Sequence, residues 1–120
     1  MQNLIKTISN SGGVVLLDTT EYTSGAFSIS LDTTPYCGFI IYTRGRAKSG
    51  KPTNINFVPK GTTVLVRGVG RDGNNNYFFD YRKCEITDTS INFLGGDSDT
   101  TIMRIYGVKG TEDMNYYELP

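Results

Sequence analysis

Apolar and polar side chains alternate with a period of two along much of this chain, in short runs closed by Gly, Asn, Asp, Ser or Pro. That is the pattern of half-buried β-strands separated by turns. Residues 4–8 (Leu-Ile-Lys-Thr-Ile) form one such run, broken by 9–13, and residues 14–17 form a short apolar one. In residues 26–31, Phe27, Ile29 and Leu31 share one face while Ser28 and Ser30 take the other. Residues 37–43 are apolar throughout, as expected of a central strand covered on both sides. A polar connection over 44–52 follows, and then strands are predicted over 54–58 and 62–69. Residues 70–75 have turn chemistry, after which strands resume over 77–81, 83–87 and 90–94. A second glycine- and aspartate-rich turn at 95–99 leads into a last strand over 101–108.

No window of a dozen residues holds a 3.6-residue apolar period, and Pro35, Pro52 and Pro59 all fall in connections, where proline does least harm to a sheet. The expected fold is all-β: an antiparallel β-sandwich, jelly-roll-like, of about eight to ten strands. Residues 1–110 read as that domain. Residues 111–120 read as an acidic, aromatic tail, either an arm docking on a neighbour or a frayed end.

The length of 120 residues gives one domain able to bury a core without disulfides or metals. Its 14 aromatic side chains, 8 Tyr and 6 Phe, favour strands, and its 14 glycines favour tight turns. Lys and Arg number 12 against 12 Asp and Glu. A chain that lives on nucleic acid normally carries a basic excess, because phosphate neutralisation supplies most of the affinity. A nucleic-acid partner is therefore not expected. Near-zero net charge also weakens repulsion between copies, which suits a component of an assembly. No segment is apolar enough to span a bilayer, and the first residues lack the basic start and apolar stretch of a signal peptide, so synthesis in the cytoplasm is expected. In that reducing compartment Cys37 and Cys84 are expected as buried free thiols.

Histidine is absent from the chain. That removes the commonest general base, nucleophile activator and transition-metal ligand together. No catalytic residue, cofactor or metal is expected. Gly68-Val69-Gly70-Arg71-Asp72-Gly73 has the letters of a dinucleotide-binding fingerprint, but that motif requires a helix to begin at its glycines, and here a turn and a strand follow. Residues 72–76 imitate the start of a calcium loop, yet its sixth position is Tyr77 and its twelfth Lys83. Asp97 and Asp99 beside two glycines could share a calcium ion, although acidic turns are usually only solvated. Asp80, Glu85 and Asp88 are the carboxylates that a glycan hydrolase would draw on.

The strongest binding candidates lie in two turns. Arg44, Arg46, Lys48 and Lys51 place four cations within eight residues, suited to carboxylate or phosphate, or simply to a solvated loop. Tyr36, Asn74, Asn75 and Tyr77 border or occupy turns, where tyrosine stacks on sugars or anchors interfaces, if it is not ordinary core. Tyr42 and Tyr81 also border loops.

The stretch Thr101-Ile102-Met103-Arg104-Ile105-Tyr106-Gly107-Val108-Lys109, with the Gly-Gly-Asp turn before it, resembles the closing strand of bacteriophage tail-fibre, baseplate and head-fibre domains. The likeness covers about a dozenth of the chain; Val108 stands where Ile is more usual, and a tail follows where such domains commonly stop. The resemblance implies a virion-surface β-sandwich, often trimeric, that assembles with itself or other virion proteins and contacts a host-surface glycan. Such a protein is made in the host cytoplasm and released by lysis. The alternatives are a stand-alone carbohydrate-binding module, with an aromatic platform on one face, and a small Asp/Glu glycan hydrolase. A cytoplasmic regulatory domain has no positive feature in its favour.

Overall fold

The computed structural model describes residues 13–23, 25–45, 51–71, 73–96 and 100–110. Among them are eight strands and no helix: β1 (Val14–Asp18), β2 (Phe27–Ser30), β3 (Tyr36–Arg44), β4 (Asn54–Pro59), β5 (Thr63–Arg71), β6 (Tyr77–Ile86), β7 (Ser90–Gly96) and β8 (Thr101–Lys109). They form two four-stranded antiparallel sheets, ordered β1-β8-β3-β4 and β2-β7-β6-β5. The first and last strands are neighbours, and the chain changes sheet at each step from β1 to β3, from β4 to β5 and again from β7 to β8, which is jelly-roll-like. Between these ends, the β3–β4 and β5–β6–β7 hairpins each stay within one sheet. The strand expected over residues 4–8 and the tail from residue 111 lie outside the described residues.

The core follows from strand parity. Phe39 and Ile41 of β3 point between the sheets, level with Val58 of β4 and Ile105 of β8. From the other sheet they meet Val66, Cys84, Ile86, Ile91 and Phe93, all buried. Each such side chain contributes about 1.5–3 kcal/mol by leaving water. Tyr22, Phe27 and Phe93 stack in series, with ring centroids 4.0 and 4.7 Å apart, and close one end of this core. Cys37 and Cys84 are both buried and unpaired, as expected. Burial, with the Glu85 carboxylate beside it, pushes the Cys84 thiol up to about 12, and burial raises Cys37 as well.

Two sequence features change meaning once the sheets are packed. The strands expected over 77–81 and 83–87 are one continuous strand, β6. Arg82, which looked like the break between them, is an inward side chain: its Nη1 donates to the Gly25 carbonyl at 2.8 Å, and its guanidinium lies 5.7 Å from the Phe27 ring centroid. The glycines of Gly68-Val69-Gly70 sit within β5, with no helix after them. A Cβ at Gly68 would lie 2.9 Å from the backbone of Arg44 and Gly45, and one at Gly45 would lie 2.5 Å from Val69. Backbone meets backbone there, at the corner where β3 leaves one sheet and β5 crosses it in the other.

The same corner solves an edge problem. β5 is an edge strand, and its outward-pointing amides and carbonyls would otherwise offer a template for another strand. Side chains of β4 and β3 occupy them instead. The Arg67 amide donates to Asn56 Oδ1 at 2.9 Å and the Val69 amide to Asn54 Oδ1 at 2.7 Å. Asn56 Nδ2 and the Thr43 hydroxyl both donate to the Arg67 carbonyl. These bonds fix β5 to the opposite sheet.

Candidate functional site

Antiparallel register brings the two turns singled out by sequence to the same end of the sandwich. The β3–β4 and β5–β6 connections both leave from the end where Gly45 sits on Gly68–Gly70 and Asn54 holds Val69. Arg44 and Lys51 flank the first connection, and Asn74, Asn75 and Tyr77 belong to the second. Asn75 takes a left-handed backbone, φ 65°, which asparagine tolerates better than most residues and which tightens the hairpin tip. Arg46, Lys48, Asp97 and Asp99 lie outside the described residues.

The expected members of the site part company at this point. Arg44 is only partly exposed and makes an ion pair with Glu21 at 3.3 Å, so it ties β3 to the segment after β1. Lys51 is exposed. Tyr36 sits at the opposite end of β3, buried, with its ring lying where a Gly107 side chain would be and 5.5 Å from the Phe39 ring. It is a core side chain, separated from the other candidates by the length of the strand. Gly107 is thereby explained as the seat of that ring. Tyr77 is 64% exposed and continues into a feature that loop positions did not reveal.

On β6, Tyr77, Phe79 and Tyr81 all point outward, with Phe79 69% and Tyr81 42% exposed. Their cross-strand partners on β5 are Arg71, Val69 and Arg67. The result is a row of three rings about 13 Å long, from four residue steps of ~3.3 Å, with two guanidinium groups beside it. The signal was present in the alternation of residues 77–81, where aromatics occupy every outward position. Phe79, Arg67 and Arg71 carry no turn signal because they lie within strands, and the inward set of the same strands (Gly68, Gly70, Asp80, Arg82) reads as the more polar one.

The outer face of the other sheet is apolar across all four strands. Leu16, Tyr106, Ile40 and Phe57 form one row from β1 to β4, and Val14, Val108, Gly38 and Pro59 form the next. Tyr42 and Ile55 begin a third row, in which Arg104 is the charged member. Val14, Leu16, Ile55 and Phe57 are exposed, and Tyr42 and Tyr106 tilt against each other at 5.5 Å. Phe57 lies over Gly38, where a side chain would collide with its ring.

The carboxylates named for hydrolysis are not gathered. Asp80 points inward and is 2% exposed, Glu85 points outward from the same strand, and Asp88 stands in the exposed β6–β7 turn. Among the described residues no group of three His, Cys, Asp or Glu side chains is placed to hold a metal, and no helix is long and apolar enough to cross a membrane. No protein-family model, curated protein or solved structure matches the chain.

Proposed function

We propose that this chain is a non-enzymatic structural protein of a bacteriophage or prophage virion (tail tip, fibre or head decoration) that assembles with further copies of itself. The observation that carries the reading is the apolar outer face of β1-β8-β3-β4. The four strands, ~4.8 Å apart and five, nine, nine and six residues long, make a face of roughly 450 Å², within the range of the largest patches left on monomers, which are often functional. That is a little over half of the roughly 800 Å² per partner of a standard interface. Further copies of the same chain are its natural cover, because an apolar, weakly charged surface is complementary to copies of itself meeting around a symmetry axis. A trimer is the state that the resemblance of residues 101–109 implies.

Size exclusion with light scattering tests this on the purified chain and on Ile55→Lys/Phe57→Lys. The expected result is an oligomer for the parent and a folded monomer for the variant. A parent that stays monomeric to high concentration overturns the assembly reading. A second reading, a stand-alone carbohydrate-binding module, is favoured by a separate observation, the Tyr77, Phe79 and Tyr81 row. It predicts the monomer. Host-surface glycan binding through that row belongs to either reading.

A further inference from the structure

We propose that the outer face of the β5–β6 hairpin is a binding site for an acidic polysaccharide; this rests on the glycan-binding reading of the same row and names its ligand class. Three observations point to it. Tyr77, Phe79 and Tyr81 are exposed in line along one strand face, and the C–H faces of sugar rings stack on such aromatics while their hydroxyls stay in water. Arg71 and Arg67 stand directly across from Tyr77 and Tyr81, with Cβ atoms ~4.5–5.5 Å from the ring-bearing ones, so an arginine fork lies within reach of a carboxylate or sulfate on a sugar seated there. Charge along the face is one-sided. Reading from the hairpin tip, the outward positions of both strands hold Arg71, Arg67 and Lys83 before the first carboxylate, Glu85, which faces Thr63 at the far end.

The platform is also held in place before any ligand arrives. Asn54 and Asn56 fix the free edge of β5, so little ordering cost accompanies binding. Stacking rings beside arginines would serve single-stranded nucleic acid as well. The zero net charge of the chain disfavours a ligand whose affinity comes mainly from phosphate neutralisation.

The test is titration calorimetry of the purified full chain against polygalacturonate, hyaluronan and chondroitin sulfate, with highly methyl-esterified pectin as the uncharged version of the first and oligo-dT as the nucleic-acid probe. At least one acidic polymer is expected to bind. Phe79→Ala and Tyr81→Ala should each weaken it by about ten-fold or more, as loss of an anchoring ring does. Arg67→Gln/Arg71→Gln should remove the preference over the esterified polymer, while both sets of variants keep the parent melting temperature. Equal binding of charged and esterified polymers overturns the acidic ligand class but leaves a glycan site. Tighter binding of oligo-dT, or binding that the four substitutions leave intact, overturns the site as a glycan platform. No binding by any polymer overturns both, and neither result bears on whether the other sheet self-associates.

Discussion

Both sheets put large side chains on their outward faces, and the two arrangements differ in dimension. On β1-β8-β3-β4 the apolar positions continue from strand to strand, from Leu16 through Tyr106 and Ile40 to Phe57. On β2-β7-β6-β5 the three exposed rings run along β6, with Arg67, Val69 and Arg71 across from them on β5; Leu65 and Leu94 are exposed beside this row, and further along stand the small polar Ser28, Ser30 and Asn92. A two-dimensional patch sheds water only against another broad surface. A line of rings edged by guanidinium groups can be covered by a narrow chain and leaves the arginines partly solvated. The fold thus carries one face built for area and one built for direction.

The largest expected effect comes from the layer that both faces share. Phe39→Ala removes a fully buried ring from between the sheets and should lower unfolding free energy by about 3–5 kcal/mol in urea titration. A loss below about 1 kcal/mol would mean that the two sheets do not depend on a common core. Next, Asn56→Leu leaves the Arg67 amide without its side-chain acceptor and the Arg67 carbonyl with the Thr43 hydroxyl alone, and should cost about 1–3 kcal/mol. It should also expose the β5 edge, so a concentration-dependent rise in light scattering is expected that the parent does not show.

Substitutions on the outer faces should be milder in stability and should separate by function. Phe79→Ala is expected to change the unfolding free energy of the isolated subunit by less than about 1 kcal/mol, because its ring is 69% exposed; Phe57→Lys should cost more than that, though well below Phe39→Ala, because the Phe57 ring is 41% exposed and covers Gly38. Phe57→Lys should abolish self-association and spare glycan binding; Phe79→Ala should do the reverse. If either variant moved both readouts, the contrast between the faces would collapse.

The last expected effect is a pH dependence confined to alkaline pH. Burial holds the Cys84 thiol protonated, its pKa moving from 9.0 to about 12. Between those values the unfolded chain gives up a proton that the folded chain keeps, so this contribution is fully present below about pH 9 and is lost as pH rises toward about 12. Urea midpoints at about pH 8 and about pH 10.5 should therefore fall less steeply for Cys84→Ala than for the parent. Equal slopes would show that the thiol titrates alike in both states.

Much of the strand plan was legible because a period of two survives wherever one face is buried. Residues 27–30 declare their inward set without help, whereas in 101–109 a register shift brings Ile102 and Ile105, three positions apart, into the same core. The plan misread residues 77–86, where a charged residue, Arg82, takes an inward position and so imitates a break. Of the candidate site, the convergence of the two turns could not be read from spacing alone, since 26 positions separate Lys51 from Tyr77. Tyr36 was indistinguishable from a loop anchor because the pocket that receives it is supplied by Gly107, far along the chain.

What the sequence determined by itself is therefore local: strand character from alternation, turns from Gly and Asn, and the removal of histidine chemistry from an absence. What only the tertiary structure decided is which outward residues become neighbours. A strand's side chains point to two faces whatever its partners are, but whether Leu16 extends a patch or Phe79 a line depends on register with strands distant in the chain. That register is fixed by burial of the opposite faces and by the Asn54 and Asn56 bonds to β5.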